Sequence, residues 1–324
     1  MDTGRLVMYC GLVKTKGAAE TVSEGTTSTA AGTGTSPTAS PDHAEFVRRS
    51  MRQSWGARTR AYTEEAAPST LEHARTLLEI VPPAPGERVL DVAAGPGVVA
   101  LLAAERVGPG GSVIATDLAP EWQEIIAERC DAAGVSNVSF RAMGAEALDL
   151  PNDHFDVAYC QFGLMFVPDP VQAIREMHRV LRPGGRLGVV VWSTADKVQC
   201  FEAINKHLNP LLPPPPPGQE LPTPLSLGER GLIERQVTEA GFGDVEATRR
   251  TLDFVADSPE GMWQLRVENG PPNVRQAVAQ LPDAERERLK TTVMEELEGF
   301  RRDGKVRLPS EAIYVSARKG RVGE

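Results

Sequence analysis

An open α/β sheet of the Rossmann-like type is the fold class this sequence predicts, and three observations carry the prediction. Short apolar runs recur at 88–92, 112–116, 138–142, 155–160 and 186–192, each the length of a buried strand. Apolar residues at helical spacing fill the intervals 98–105, 122–133 and 170–181. The first run passes directly into a glycine-rich turn, Ala93-Ala94-Gly95-Pro96-Gly97, and then into a helix. Strands and helices alternating at this interval build a parallel sheet covered on both faces.

The remaining elements follow in chain order. Residues 18–41 are Thr, Ser, Ala and Gly with almost no large apolar side chain, so a disordered leader is expected over 1–41. A helix starts near Asp42, and a second covers 70–80, with Leu71, Ala74, Leu77 and Leu78 on one face and Pro82, Pro83 and Pro85 after it. Residues 42–86 are thus N-terminal helices, and 87–193 are the core. After Ser193 a helix is expected at 198–212, ending in the five prolines of 213–217, a stiff connector. Further helices are predicted at 229–240, 260–269 and 283–298, and strands at 245–254 and 312–317. The result is a seven-stranded, mostly parallel sheet with the last strand antiparallel, and 194–324 completes it around an inserted helical cap.

Charge and cysteine content exclude several function classes. A net charge of -9 over 324 residues does not suit a general phosphate-backbone binder, so no nucleic-acid partner is expected. Cys10, Cys130, Cys160 and Cys200 form no C-x-x-C pair, which argues against a zinc site or a disulfide framework, predicts no metal and fits the reducing cytoplasm. No apolar run reaches the length of a membrane span, and the short run 6–13 follows Asp2 without a clean cleavage pattern.

The chemistry is concentrated at strand ends. The stretch from Val89 to Ala100 sets a strand, a tight glycine turn and a helix N-terminus in series, which lets a ligand approach the main chain. Asp117 ends the second strand twenty residues after Gly97, placed to accept hydrogen bonds from ribose hydroxyls. These features fit both a nicotinamide dehydrogenase and a methyltransferase. Asp91, an acid ahead of the glycines, suits a ligand with an ammonium and no phosphate. Gly144-Ala145-Glu146-Ala147-Leu148 and Leu181-Arg182-Pro183-Gly184-Gly185 add two more segments, and no Tyr/Lys reductase pair is present.

Taken together, the segments 90–100, 113–118, 145–151, 155–168 and 181–192 resemble the class I S-adenosylmethionine (AdoMet) methyltransferases, in particular the ubiquinone/menaquinone-biosynthesis type. The resemblance implies AdoMet as cofactor. It implies that Gly95, Pro96 and Gly97 lie under the methionine moiety, that Asp117 binds the ribose, and that Leu118 packs on the adenine. It further implies that the Ala145 N–H meets the adenine ring and that Gln161, beside Asp91, borders the methionine amino group. It also implies that the N-terminal helices of 42–86 act as a lid, from which Tyr62 joins this set. Two positions depart from the pattern. Ala93 replaces a common Gly, a change the small side chain is expected to absorb. Gly144 replaces an Asp or Asn that accepts from the adenine amino group, with Glu146 as a candidate substitute.

The implied reaction is methyl transfer to a small-molecule acceptor at oxygen, nitrogen or carbon. An apolar acceptor pocket is expected from Trp55, Phe162, Met165, Phe166 and Trp263, which favours a hydrophobic or aromatic acceptor, and the long C-terminal insertion suits specialised metabolism at least as well as quinone biosynthesis. His154 and His207 are the candidate catalytic bases. A nicotinamide-dependent oxidoreductase and a non-catalytic AdoMet-binding module are the alternatives. Oligomeric state is not readable.

Overall fold

A computed structural model describes residues 40–270 and 272–321. The expected leader, the 6–13 run and Cys10 lie outside the described residues, except that Ser40 and Pro41 already belong to the first helix. Helix α1 spans Pro41–Gly56, and Ser40 caps it by accepting from the His43 N–H at 3.2 Å. Helices α2 (Thr59–Glu65) and α3 (Ala67–Ile80) follow. The sequence pattern missed α2, a seven-residue helix without a side-chain cap.

The core then alternates as β1 (Arg88–Val92), α4 (Val98–Val107), β2 (Ser112–Asp117), α5 (Trp122–Ala133), β3 (Val138–Ala142), β4 (Phe155–Gln161), α6 (Pro170–Val180) and β5 (Leu181–Trp192). Six of the seven β4 residues are buried, which is why that run reads as continuously apolar. Strand β5 begins five residues earlier than its apolar run, because Leu181 pairs with Phe155 and the register slips before Arg186 meets Val157.

Beyond β5 come α7 (Gln199–Leu208), α8 (Leu232–Glu239), β6 (Gly243–Ala256), α9 (Pro259–Trp263), α10 (Pro272–Gln280), α11 (Asp283–Glu298), the two-residue β7 (Arg301–Arg302) and β8 (Lys305–Arg318). The sheet order is β3-β2-β1-β4-β5-β8-β6, with β7 pairing β8. Strand β8 runs antiparallel to both neighbours and sits between β5 and β6, so the last full strand is internal. The seven-strand expectation is thus corrected only by the β7–β8 hairpin. Strand β8 is also longer than predicted. Pro309 sits in it opposite Asp253 of β6, beyond the stretch of β8 that pairs with β5, where a missing N–H is tolerated.

Predicted helix 260–269 is instead α9 followed by a π-helical turn at Gln264–Glu268. One large apolar core joins α3, the sheet and the cap. Helix α1 contributes Val47 and Met51 to a separate small cluster with Leu221. No helix among the described residues is long and apolar enough to cross a membrane, and no cluster of His, Cys, Asp and Glu among them could hold a metal ion.

Candidate active site

Two adjoining cavities open at the carboxyl ends of the parallel strands and share Met51, Trp55, Tyr62, Thr70, Phe162 and Phe166 in their walls. The floor of the first is built from the turns that follow the strands. Gly95 and Gly97 adopt φ values of 52° and 72°, left-handed conformations that glycine takes without steric cost, and Gly97 starts α4. Asp91 is buried, and its carboxylate accepts from the Ala100 N–H at 3.0 Å, satisfying a donor of the first turn of α4. Asp117 accepts from the Gly95 N–H at 2.9 Å and from the Ala119 N–H at 3.0 Å, tying the end of β2 to the glycine turn. Arg129 of α5 holds the turn from the other side through the Pro96 carbonyl at 2.9 Å.

Burial dominates the electrostatics. It pushes the Asp91 carboxyl from 3.8 to about 8, with nearby Asp117 adding to the shift and the Ala100 N–H opposing it. Burial raises Asp117 from 3.8 to about 6, against three backbone N–H groups that lower it. Both oxygens of Asp117 keep lone pairs beyond those contacts. Gln161 donates from Nε2 to the Thr70 carbonyl at 3.3 Å, while its buried Oε1 has no partner. Such an unpaired buried acceptor on a cavity wall suits a donor-bearing ligand.

The predicted cofactor residues Asp91, Gly95, Pro96, Asp117, Leu118, Gly144, Ala145, Glu146, Gln161 and Tyr62 all line this first cavity. Gly97 does not line it but starts the helix beneath it. Arg48 was not anticipated. From α1 it pairs with Glu146 at 3.3 Å, so the acid offered as a substitute for the missing residue at 144 is engaged with α1. A Cβ at Gly144 would meet only Leu118 Cδ1 at 3.7 Å, so the position has room for a side chain.

Ala93 is not the neutral replacement expected from its size. Its φ of 54° places it in the left-handed region, and a Cβ on Gly163 would lie 2.5 Å from the Ala93 Cβ. Phe162 is strained as well, with φ 55°, a conformation that costs a bulky residue roughly 1–3 kcal/mol and clusters at functional sites. Its ring stacks on Trp192 at 4.1 Å.

The second cavity is enclosed by side chains from distant segments. Trp55, Phe162, Met165 and Phe166, four of the residues expected around an acceptor, line it. An edge-to-face series, Trp122–Tyr62–Trp55–Phe166, with centroid separations of 6.2, 5.2 and 5.4 Å, runs from beneath Gly95 to the second cavity. Leu221 and Pro222, just past the proline connector, close it against Met51.

Three predicted site residues lie elsewhere. Trp263 is buried in the cap and donates from Nε1 to Glu268 at 2.9 Å. His154 precedes β4 and faces Arg88 at 3.4 Å, at the amino-terminal end of the sheet, opposite the cavities. His207 lies at the seam of α7 with α11, its Nε2 3.7 Å from Glu296. His73, unremarkable in the sequence, is buried behind the aromatic wall, 2.6 Å from the Tyr314 hydroxyl, and burial lowers its pKa to about 4.

A methyltransferase-domain family matches residues 89–185, the span that contains the glycine turn, Asp117 and the end of β4. The chain holds a class I AdoMet methyltransferase domain. An uncharacterised protein of Mycobacterium tuberculosis is 42% identical over 109 residues, 34% of this chain and 38% of that protein. A ubiquinone/menaquinone biosynthesis C-methyltransferase of Pseudomonas paraeruginosa is 39% identical over 129 residues, 40% of this chain and 50% of its own length. The chain therefore spans half or less of the length of these relatives.

Solved structures extend the likeness of the methyltransferase domain in fold alone. The YcgJ protein of Bacillus subtilis superposes with a TM-score of 0.52 at 22% identity, over 77% of this chain and 99% of that one. A phosphoethanolamine N-methyltransferase of Haemonchus contortus, solved with phosphomonomethylethanolamine and S-adenosylhomocysteine, gives 0.52 at 16% identity, over 86% and 60%.

Proposed function

We propose that the chain transfers a methyl group from AdoMet to a small hydrophobic or aromatic acceptor seated in the second cavity. The observation that carries this reading is the continuity of the two cavities through one aromatic wall, which sets a cofactor and an acceptor side by side away from water. The first cavity fits AdoMet on its own chemistry. Gln161 Oε1 is a buried acceptor without a partner, Asp117 retains lone pairs for hydroxyl groups, and Leu118 offers an apolar face. AdoMet, when bound, supplies a methyl group on a sulfonium sulfur, open to in-line displacement by a nucleophile.

The protein's own contribution is then position and exclusion of water. Asp117 and the glycine turn orient one end of the cofactor, and Arg48 paired with Glu146 holds the lid over the other. Trp55, Tyr62 and Phe166 dry the junction. No base serves the second cavity among the described residues. Its titratable side chains are Arg58, Tyr62, Cys200 and Arg266. Burial pushes the Tyr62 hydroxyl upward and the Cys200 thiol to about 11, so both keep their protons at neutral pH. Such a site suits an acceptor that needs no protein base, either ionised already or able to lose its proton to water.

Incubation with methyl-labelled AdoMet and a panel of acceptors tests the reading. Label is expected in hydrophobic aromatic compounds. Methylation confined to short polar amines or acids would contradict it.

A further inference from the structure

The second cavity is mostly apolar, yet two guanidinium groups, those of Arg58 and Arg266, stand in its wall and no Asp or Glu among the described residues lines it. Elsewhere in the protein, half-buried arginines meet carboxylates, as in Arg48–Glu146, Arg179–Glu176, Arg186–Glu87 and Arg249–Glu234. Arg266 does not. Its guanidinium carbon lies 4.2 Å from the Phe201 ring centroid, and its buried Nε has no hydrogen-bond partner. Stacking on Phe201 offsets part of the desolvation cost but leaves the charge without a counterion among the described residues.

The backbone beneath Arg266 is unusual in the same place. Residues Gln264–Glu268 form a π-helical turn, a rare geometry that is frequent at functional sites. Leu265 and Arg266 from this turn both line the cavity, while Trp263, one residue before it, does not. Phe201 and Phe254 flank them in the same wall. Arg58 and Arg266 line the second cavity and not the first, although both act on the Tyr62 hydroxyl in the wall the two cavities share.

We propose that Arg266, with Arg58 in the same wall, anchors a carboxylate carried by the acceptor at its end remote from the reacting atom. The acceptor is therefore a hydrophobic, preferably aromatic, carboxylic acid. The guanidinium fork matches a carboxylate in shape and charge, and the aromatic wall takes the apolar body. This assignment rests on the methyltransferase reading only for the identity of the bound acid as an acceptor.

The test uses the full chain and calorimetry. 2-Naphthoic acid and its uncharged isostere 2-naphthamide are titrated into wild type, Arg266→Met and Arg266→Lys, and AdoMet into the same wild-type preparation. The acid is expected to bind at least about tenfold tighter than the amide to wild type. Arg266→Met should abolish that preference and Arg266→Lys should keep part of it. Equal binding of acid and amide to wild type, or an undiminished preference in Arg266→Met, overturns the proposal. If Arg266→Met does not fold, the wild-type and Arg266→Lys comparison decides. A preference for the acid without AdoMet binding would sink the methyltransferase reading and leave the anchor standing. AdoMet binding without the preference would do the reverse.

Discussion

The two cavities share a wall but are built on different principles. The first is made of turns at the ends of β1, β2 and β4, where backbone N–H groups, left-handed glycines and two buried carboxylates fix one another. The second is made of side chains from α1, α2, α7, β6 and the π-helical turn, brought together only by the fold. A site of the first kind tolerates little change, because each residue type answers a backbone requirement. The second kind is free to vary, since any side chain of suitable size and polarity serves. That difference explains how one cofactor cavity can be paired with many acceptors.

Overfilling the first cavity's floor should break the comparison most severely. In Gly163→Ala the new methyl would lie 2.5 Å from the Ala93 Cβ and 2.9 Å from Cys160 Sγ. Overpacking of this kind costs about 1–3 kcal/mol, and AdoMet affinity should fall with it. Thermal denaturation and calorimetry check both, and an unperturbed variant would show that this floor is not rigid.

Protonation of the two carboxylates gives the next effect. Folding raises Asp91 from 3.8 to about 8 and Asp117 to about 6. The folded chain thus binds more protons than the unfolded chain between those values, so their contribution to stability is lost as pH rises from about 4 to about 8. The melting temperature of the ligand-free protein should drop between pH 5 and pH 8, and Asp91→Asn should shrink that drop. An equal drop in the variant would place the titration elsewhere.

Gly144→Asp sharpens the comparison in the opposite direction. The position has room, and a hydrogen bond to a charged group contributes about 1.5–3 kcal/mol, so AdoMet should bind roughly tenfold tighter or better. No gain would mean that the cavity already satisfies the ligand by another route. The smallest effects are expected at the two histidines. His154→Ala and His207→Ala should each leave AdoMet affinity within about twofold of wild type, as for substitutions remote from the site.

Legibility in the sequence follows the same division. The turn 91–97 and Asp117 were readable because a tight turn and a strand-end acid require particular residue types at fixed spacing, whereas Leu118 and 144–146 were indicated by the family resemblance. Arg48, Arg58 and Arg266 carried no such signal, since arginine on a helix ordinarily faces solvent. Trp263 was misplaced because an aromatic segment does not announce which side it buries, and the π-helical turn after it hands the cavity wall to Leu265 and Arg266. His154 was avoidable. A residue ahead of a parallel strand lies at the amino-terminal end of the sheet, opposite the ligand side. Strand β8 extends beyond the expected 312–317 because its pairing with β6 continues past the end of β5, as far as Val306 opposite Ala256.

The central claim is that the glycine turn and Asp117 hold AdoMet. Titrating AdoMet and NADPH by calorimetry into wild type and Asp117→Ala tests it most directly. The account predicts AdoMet binding with a Kd on the order of micromolar, lost in the variant, and no NADPH binding. NADPH binding, or AdoMet binding indifferent to Asp117, would contradict it.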